Sequence, residues 1–600
     1  MNKLRNNSDY LVEALSAAGI DTVFMLSGGG IMHLQNAVKN AGLPYVCNFH
    51  EQACIIAAEA YARLRGFGVC MVTFGPGALN TVSGIASAWY ESVPLLVIAG
   101  QVRSDIIADY TKVRQFGPQE ANVIDVVRPI TKYARSLRPG DDVASAIEDA
   151  MRIARAGRPG PVLLEFPLDV QAAAFVPSVS SGFSEPTETQ DTHALIAQAE
   201  DIVRSLAEAK RPLLILGSGV RIAGAKDAVR HLCQRLNVPV ISTHTAKDTI
   251  DNFDPNYFGI FGTCGNRHAN SILQSADLIV CLGVGLTISK TGFNFKNFAP
   301  LARKIIVDID VGQVHHLAIK PDLGVVADLA ALVPHLTESA ERLMQRGGGL
   351  HANWRALCTD WRRRYATYDL APPYADSVNP YRLMGWLSRF TTENDTVTTG
   401  NGLDSVAYCQ AFQVKHCQRT ILNGNWGSMG WDLPLSVGAH FATRGRVVCI
   451  TGDGSILLNL QEMMNIGARK LPIKVFVLNN GGYGSIRATQ DSLFNSNYIG
   501  VDHDSGVFNP DFRALAAAFG LAYREINSDA DLESGVRAVL NDDAPQLVEV
   551  RVAQSTWISP KASSFKDENG VMHSRELDDM APFLERYEIA RNRADALRIE

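Results

Sequence analysis

The sequence predicts an α/β protein of three doubly wound parallel-sheet domains, and three observations support this fold class. The 600 residues exceed what one hydrophobic core holds. Short apolar runs alternate with helical patterns along almost the whole chain, as expected of strands buried on both faces of a parallel sheet. The polar stretches "VPSVSSGFSEPTETQDTH" and "QRGGGLHANW" divide these runs into three groups.

The apolar runs give the predicted strands in chain order. The first group is "DTVFML", "GVCMVTF", "VPLLVIAG" and "GPVLLEFP". The second is "RPLLILGSG", "VPVISTH", "ADLIVCLGVG" and "ARKIIVDID", and the third is "RVVCITGDG", "IKVFVLNN" and "PQLVEVRV". We therefore expect domains at 1–178, 190–345 and 355–556, followed by a polar tail at 557–600 that ends in a charged helix.

Composition limits the partners and the compartment. The net charge of −6 gives no basic surface, so we expect neither nucleic acid nor a membrane surface as a partner. The N-terminus lacks the apolar core of a signal peptide, and no segment is long and apolar enough to span a bilayer. The ten cysteines form no C-x-x-C pair, which favours buried free thiols over zinc or disulfides. These features predict a cytoplasmic protein.

Polar turns end two successive strands in "ITGDGSILLNLQEMMNIGARKLPIKVFVLNNGGYGS". Asp453 follows one strand and Asn480 the next, with a predicted helix between them. A right-handed β-α-β crossover brings both to the edge where parallel sheets bind ligands. A carboxylate, an amide oxygen and a glycine carbonyl suit Mg²⁺, and the N–H groups of Gly454 and Ser455 at the helix start suit a phosphate. The alternative is an ordinary N-cap at Asp453 and a turn at 479–480.

This stretch resembles the thiamine diphosphate fingerprint, in which an NN pair follows GDG. The resemblance extends over nearly the whole chain to the acetohydroxyacid (acetolactate) synthase large-subunit family. It rests on "HEQACIIAAEAYARLRG", "TFGPGALNTVSGIASAWYESVPLLVIAGQV", "PQEANVIDVVRPITKYA", "GRPGPVLLEFPLDV" and "GSMGWDLPLSVGA", in the family's order. It implies a pyrimidine-binding domain, a flavin-binding-like middle domain and a diphosphate-binding domain, with the tail as a possible lid.

The resemblance implies a site for thiamine diphosphate and Mg²⁺ between subunits of a homodimer or homotetramer. Glu51 would hydrogen-bond N1′ of the cofactor, which lets the 4′-nitrogen remove the C2 proton. The implied catalytic residues are Glu51, Gln119 and Lys132, and the metal ligands are Asp453, Asn480 and Gly482. The implied cofactor-binding residues are Pro76, Asn80, Gly400, Asn401, Gly402, Ser428, Met429, Asp453, Gly454, Ser455, Asn480 and Gly482. Met429 would support the bent cofactor from below, and the 400–402 loop matches the family poorly.

The middle domain resembles one that binds FAD, which serves a largely structural role in the family. The implied flavin-binding residues are Arg128, Gly217, Gly219, Thr243, Gly262, Gly283, Asp308 and Asp328. The family's G-x-RFDDRVTG segment is altered here to "GVGLTISKTG", so that Gly285 replaces its first arginine. The alternative is a domain of the same fold with a degenerate pocket.

The substrate side departs from the family at four positions. Ser289 replaces the arginine that pairs with the acceptor carboxylate, and Thr489 replaces the tryptophan of the acceptor pocket. Pro118 and Ser485 replace a phenylalanine and a methionine, and Gly29 completes the predicted pocket. Losing a bidentate cation and a large ring from one pocket indicates a different acceptor.

These observations predict a thiamine diphosphate-dependent carboligase. It would decarboxylate pyruvate and transfer the two-carbon unit to a carbonyl acceptor, which on this resemblance could be a nucleotide-linked keto sugar. Acetolactate synthesis proper is the first alternative and would need Arg487 or Lys290 in place of the lost arginine. A 2-keto acid decarboxylase or C–C hydrolase is the second alternative. A non-catalytic scaffold would be expected to have lost Glu51 or the metal residues, and this chain retains them.

Overall fold

Three six-stranded sheets, each wholly parallel, form the framework of this computed structural model, which describes residues 5–177, 191–344, 351–366, 373–556 and 558–599. Helices flank each sheet, so the prediction of three α/β domains is confirmed. The strands of each sheet lie within one predicted domain. The predicted boundaries at 178, 190 and 345 fall outside the described residues and stay predictions.

The N-terminal sheet has the order β2-β1-β3-β4-β6-β5. Its strands are β1 (Val23–Met25), β2 (Tyr45–Cys47), β3 (Gly68–Val72), β4 (Leu95–Gln101), β5 (Tyr133–Ser136) and β6 (Pro161–Pro167). Its helices are α1 (Asn7–Ala17), α2 (Met32–Ala41), α3 (Glu51–Arg65), α4 (Pro76–Leu79), α5 (Val82–Glu91), α6 (Val123–Val127), α7 (Val143–Arg155) and α8 (Leu168–Ala172). Every residue of β3, β4 and β6 is buried, as the continuous apolar runs predict.

The middle sheet has the order β12-β11-β10-β7-β8-β9. Numbered from its own first strand, this is the 3-2-1-4-5-6 order of dinucleotide-binding folds. Its strands are β7 (Pro212–Leu216), β8 (Val240–Ser242), β9 (Tyr257–Ile260), β10 (Leu278–Leu282), β11 (Arg303–Asp308) and β12 (Leu323–Val326). Its helices are α9 (Thr192–Glu208), α10 (Gly219–Ile222), α11 (Lys226–Leu236), α12 (Arg267–Ser275), α13 (Ile288–Thr291), α14 (Val311–His315) and α15 (Leu329–Met344), and α16 (Ala352–Arg364) follows.

The C-terminal sheet has the order β14-β13-β15-β16-β18-β17, which repeats the N-terminal topology. Its strands are β13 (Thr396–Thr399), β14 (Thr420–Leu422), β15 (Val447–Gly452), β16 (Ile473–Asn479), β17 (Ala522–Ile526) and β18 (Gln546–Arg551). Its helices are α17 (Pro380–Phe390), α18 (Leu403–Ala411), α19 (Asp432–Thr443), α20 (Met463–Ala468), α21 (Gly484–Phe494), α22 (Phe512–Phe519) and α23 (Leu532–Leu540). The α3 and α19 helices pack so closely that a Cβ on Gly438 would lie 2.1 Å from the Ala57 carbonyl oxygen. One apolar core therefore joins the N- and C-terminal domains.

The tail folds onto the middle domain. It forms an antiparallel hairpin, β19 (Ser564–Lys566) and β20 (Met572–Ser574), and the helix α24 (Arg586–Leu597). Arg267 of α12 donates hydrogen bonds to the Met580 and Pro582 carbonyls, and Asn270 donates to the Leu577 carbonyl. The prediction that the tail acts as a lid stays untested.

In the described part of the chain, no helix is both long and apolar enough to cross a membrane. All ten cysteines are free thiols, of which seven are buried, Cys47 and Cys264 are half-buried, and Cys417 is exposed.

Candidate cofactor and active site

The three predicted metal residues meet at the carboxyl edge of the C-terminal sheet. The β15 and β16 strands are neighbours, so Asp453, which follows β15, lies beside residues 480–482, which follow β16. The Asp453 N–H donates to the Leu478 carbonyl at 3.2 Å. The Asp453 carboxylate accepts the Gly482 N–H at 2.8 Å. Burial raises the pKa of Asp453, whereas the donors from Asn509, Gly482 and Gly454 lower it. The result is a buried group of oxygen atoms, the type of ligand that Mg²⁺ prefers.

The structure distinguishes the two amides of the NN pair. Asn479 is fully engaged, because its Nδ2 donates to Glu549 at 2.7 Å and its Oδ1 accepts the Gly481 N–H. Asn480 is buried, and its Oδ1 has no hydrogen-bond partner among the described residues. Since an unpaired buried oxygen is unfavourable, this atom is the one that a cation would satisfy. The donor set therefore fits Mg²⁺.

Three loops line the place predicted for the diphosphate. Gly400 follows β13. A Cβ on Gly400 would lie 2.6 Å from Asp432 Oδ2 and 3.1 Å from Ser455 Oγ. Asn401 donates to the Gly427 carbonyl, and Ser455 Oγ accepts the Gly430 N–H at 2.9 Å. Hydrogen bonds therefore connect loop 427–430 to loops 400–402 and 453–455. Gly402 has a φ of 135°, and Ser428 Oγ donates to the Met429 carbonyl.

Two buried carboxyl groups, those of Asp404 and Asp432, lie next to Gly400. The sequence did not predict this pair. Asp432 accepts hydrogen bonds from the Ser455 and Thr451 hydroxyls at 2.6 and 2.7 Å. Asp404 Oδ2 accepts no hydrogen bond from the part of the chain that the structure describes. Burial and then Asp432 raise the pKa of Asp404 to about 7. The family motifs gave no signal for this pair, because the two residues are 28 positions apart and meet only in the fold.

The segment after Gly454 differs from the predicted helix. Residues Ile456–Glu462 form a 3₁₀ helix with a non-helical Asn459, and only Met463–Ala468 is α-helical. The Asn459 side chain donates to Gln52 Oε1 at 3.2 Å and to the Gly430 carbonyl at 2.8 Å. The kink therefore links the residue after Glu51 to the residue after Met429. Glu462 accepts bonds from Asn48 and the Phe49 N–H, so it also joins the two domains.

The predicted pyrimidine side lies at the carboxyl edge of the N-terminal sheet. Glu51 begins α3 after β2, and its Oε2 accepts the Asn80 amide at 2.9 Å. Pro76 begins the neighbouring α4. A Cβ on Gly77 would lie 3.3 Å from Glu51 Oε1, so glycine leaves room for this carboxylate. The structure brings Glu51, Pro76 and Asn80 together as predicted.

Three further predicted residues lie at the same edge. Gln119 has a φ of 58°, and its carbonyl oxygen would lie 1.6 Å from a Cβ on Gly75. Gln119 and Pro118 are exposed beside the Pro76 loop. Gly29 follows β1, is exposed, and has open space around its missing Cβ. This edge can therefore receive a substrate.

Lys132 and Arg128 do not lie with these residues. Lys132 precedes β5, and its ammonium donates to the Ala156 carbonyl at the amino edge of the sheet, opposite Glu51. Burial lowers the pKa of Lys132. Arg128 precedes the same strand and pairs with Asp125 at 2.9 Å on the exposed surface. Within one chain, Lys132 therefore lies at the opposite edge of the sheet from Glu51, and Arg128 lies on the surface away from the other predicted flavin residues. The catalytic role of Lys132 and the flavin-binding role of Arg128 stay predictions.

The other predicted flavin residues come together. They occupy the carboxyl ends of all six middle strands, namely Gly217 and Gly219 (β7), Thr243 (β8), Gly262 (β9), Gly283 (β10), Asp308 (β11) and Asp328 (β12). Burial raises the pKa of Asp308. The N–H groups of Gly217 and Gly219 donate to the Leu282 and Gly283 carbonyls, so they are engaged within the protein. Among these residues, Asp308 has the acidic side chain that dinucleotide-binding folds use to bind ribose hydroxyls.

Hydroxyl groups surround Ser289, the residue predicted to replace the family's arginine. The hydroxyls of Thr287 and Ser289 are 3.1 Å apart, and Thr263 Oγ1 donates to the Ser289 carbonyl at 3.0 Å. Lys290 is buried and donates to Thr287 and, at 2.9 Å, to Asn425 Oδ1. This loop therefore approaches the segment that carries Met429.

The α21 helix carries the remaining residues that are predicted to line the substrate pocket. It starts two residues after Gly482, and Ser485 and Thr489 are exposed on one face, with Thr489 Oγ1 donating to the Ser485 carbonyl. Arg487 is buried, donates to the Gln554, Gly481 and Val501 carbonyls, and lies 3.6 Å from Asp502. Its guanidinium is therefore committed to the protein.

Comparisons with known proteins agree with this architecture. Three family models match, described as the N-terminal TPP binding domain (residues 5–123), the central domain (199–336) and the C-terminal TPP binding domain (400–550) of thiamine pyrophosphate enzymes. The chain is 31% identical to the acetolactate synthase isozyme 2 large subunit of Escherichia coli K12, over 93% of this chain and 98% of that protein. It is 33% identical to the acetolactate synthase large subunit of Parasynechococcus marenigrum, over 90% and 86% respectively.

Proposed function

This chain belongs to the acetolactate synthase-like family of thiamine pyrophosphate enzymes. From that premise we propose that it is a carboligase that acts on pyruvate and on an acceptor that carries no carboxylate group. The cofactor supplies an acidic thiazolium carbon and an electron sink for the loss of CO₂. The observation that carries the proposal is the hydroxyl cluster of Thr263, Thr287 and Ser289, in the segment where the resemblance predicts serine in place of the family's arginine.

The chain's own residues divide the work between two edges. Asp453, Asn480 and the Gly482 carbonyl would hold Mg²⁺ and, through it, the diphosphate of the cofactor. Glu51 would hold a proton at N1′ of the cofactor, and Asn80 orients its carboxylate through the 2.9 Å hydrogen bond. Exposed Gln119 would contact the donor, since it lies beside the Pro76 loop.

We propose a nucleotide-linked keto sugar as the acceptor. Hydroxyl side chains hydrogen-bond a polyhydroxylated ligand without adding charge. The threonine at 489 and the serine at 485 replace larger apolar groups, which widens the face of α21 that adjoins the metal residues. A bulky sugar needs that space.

Acetolactate synthesis proper is the second candidate, and the names of the relatives favour it. It requires a cation for the carboxylate of a 2-keto acid acceptor. Arg487 is engaged by three carbonyls, and Lys290 is turned toward Asn425, so neither is free to take the role of the arginine. A decarboxylase or C–C hydrolase differs in forming its product from one substrate alone.

The test is an acceptor screen with pyruvate, thiamine diphosphate and Mg²⁺. Products are identified by mass with a nucleotide-linked keto sugar, with 2-ketobutyrate, and without an acceptor. The proposal predicts a C–C product with the keto sugar. Acetohydroxybutyrate as the main product would establish the second candidate, and acetaldehyde formed without an acceptor, by protonation of the two-carbon unit, would establish the third.

We also propose that the middle domain binds FAD. The dinucleotide-binding strand order and the six strand ends that carry the predicted residues support this. Flavin absorbance of the purified protein, and flavin released on denaturation, test it. Asp308→Ala should lower flavin content, while Asp322→Ala, at a residue whose carboxylate caps the Lys304 N–H, should not. Equal flavin content in both variants would contradict the assignment of Asp308.

We propose that the protein is a cytoplasmic homo-oligomer whose subunits share active sites. Exposed apolar side chains flank both halves of the site, since Phe49 is 51% exposed and Phe494 and Ile499 are 59% and 78% exposed. Patches of this kind mark interfaces. The seven buried free thiols support a reducing compartment. The apparent mass in solution distinguishes a dimer from a tetramer, and a monomer would contradict the proposal.

A further inference from the structure

The tail attaches to the loops that carry the hydroxyl cluster. The Ala562 N–H donates to the Thr263 carbonyl at 2.6 Å. Thr263 in turn donates its N–H and its hydroxyl to the Ser289 carbonyl, at 2.9 and 3.0 Å. Tail residues 560–562 therefore lie two hydrogen bonds from the position of the lost arginine.

The backbone around Lys561 is held on several sides. Its N–H and carbonyl both bond to Ala581, at 3.0 and 2.8 Å. The preceding Pro560 carbonyl accepts a hydrogen bond from the buried Gln410 side chain at 2.7 Å. Because Lys561 is fixed in this way, its side chain starts from a defined point beside the hydroxyl cluster.

The Lys561 ammonium is uncommitted. It has no ion-pair partner among the described residues, and the side chain is half-buried. The hydrogen bond from the Ala562 N–H to the Thr263 carbonyl brings this segment beside residue 264. Burial raises the pKa of Cys264, and the charge of Lys561 lowers it. The tail acids nearby are already paired, because Asp579 binds Arg575 and Arg586, while Asp578 binds Arg593.

We propose that Lys561 binds a phosphate of the acceptor substrate, so that the tail forms the anion-binding end of the acceptor site. This inference rests on the proposed function, in which the acceptor is a nucleoside diphosphate-linked sugar. The hydroxyl cluster then faces the sugar, and Lys561 faces its diphosphate. Lysine is a common phosphate ligand, acting as a point charge.

The binding test uses UDP and CDP as probes of the holoenzyme, with saturating thiamine diphosphate and Mg²⁺, by isothermal titration calorimetry. Lys561→Ala should weaken binding roughly ten- to hundredfold, as expected for a hydrogen bond to a charged group. Lys561→Arg should bind within about threefold of the wild type, since the charge is kept. Lys566→Ala removes another exposed lysine of the same tail and should leave binding unchanged. Equal affinity in the wild type and Lys561→Ala, or an equal loss in Lys566→Ala, would overturn the assignment.

The kinetic arm separates this inference from the proposed function. Pyruvate consumption with ferricyanide as electron acceptor reports the donor step alone, and Lys561→Ala should leave it unchanged while raising KM for the keto sugar at least tenfold. If only 2-ketobutyrate is an acceptor, the proposed function fails. A raised KM for 2-ketobutyrate in Lys561→Ala would then overturn the phosphate assignment in favour of a carboxylate. An equal fall in the donor step would show a structural role and overturn both forms of the inference.

Discussion

The Asp453 carboxylate accepts the Gly482 N–H at 2.8 Å, which joins two predicted metal residues that are 29 positions apart in the chain. The contact exists because β15 and β16 are adjacent parallel strands whose carboxyl ends share an edge. It places the unpaired Asn480 oxygen beside a buried carboxylate. This is the arrangement from which the Mg²⁺ and diphosphate assignment follows.

Removing the Asn480 oxygen should weaken the cofactor site. We expect Asn480→Ala to raise the apparent Kd for thiamine diphosphate at fixed Mg²⁺ at least tenfold, because one of few protein ligands is lost. Asn480→Asp keeps an oxygen and should bind more tightly than the alanine variant. Asn527→Ala, at an exposed amide that contacts Glu525, is the control. Quenching of tryptophan fluorescence by the cofactor measures all four proteins, and unaltered affinity in Asn480→Ala would exclude Asn480 as a ligand.

Shared active sites predict complementation between two inactive variants. Glu51→Gln and Asp453→Asn should each lose at least hundredfold in activity, since the first removes the proton-holding group and the second a metal ligand. If Glu51 acts on the cofactor of a partner subunit, mixing and reassociating the two should restore about a quarter of wild-type activity, because half of the C₂ dimers carry one intact site. A mixture as inactive as its components would show that each chain completes its own site.

The Asp404 carboxyl group should make stability depend on pH. An aspartate of an unfolded chain ionises near pH 4, whereas the pKa of Asp404 in the fold is about 7. The native state therefore binds the extra proton between these values, and stability falls as pH rises from about 4 to 7 and stays low above that. Asp404→Asn should raise Tm by a few degrees at pH 8 and much less at pH 4.

The control for this prediction is Asp227→Asn, whose carboxylate is 83% exposed. It should shift Tm little at either pH. Equal shifts of Tm for Asp404→Asn at pH 4 and pH 8 would contradict the raised pKa.

The contact between Gly75 and Gln119 should tolerate no side chain. Gly75 has a φ of 56°, and a Cβ there would lie 1.6 Å from the Gln119 carbonyl oxygen. Gly75→Ala should displace Gln119, lower activity at least tenfold and lower Tm. Gly66→Ala shares the positive φ but meets nothing within 4 Å, so it should cost only about 1 kcal/mol and keep full activity. Similar activity in both variants would contradict the role of the Gly75–Gln119 contact.

The sequence could predict the positions of functional residues that lie in the turn directly after a strand. Asp453, Asn480, Glu51 and the middle-domain residues each follow a strand, so their shared edges could be predicted from the pattern of apolar runs. The position of Lys132 at the other edge could not be predicted in this way, because the motif around it does not reveal whether a residue precedes or follows a strand.

Contacts between distant segments could not be predicted in the same way. The Asp404–Asp432 pair and the Lys561 position arise from tertiary packing. The same is true of the choice between Asn479 and Asn480, which depends on Glu549, 70 residues from Asn479.

The most direct test of the proposed acceptor is competition between two acceptors in one reaction. The holoenzyme is given ¹³C-labelled pyruvate with equal concentrations of a nucleotide-linked keto sugar and 2-ketobutyrate, beside Ser289→Arg, which restores the family's cation, and Ser289→Ala. The proposed acceptor specificity predicts that the wild type and Ser289→Ala place the labelled two-carbon unit on the keto sugar. It also predicts that Ser289→Arg shifts the product ratio at least tenfold toward acetohydroxybutyrate. A wild-type protein that labels 2-ketobutyrate and leaves the keto sugar unmodified would contradict it.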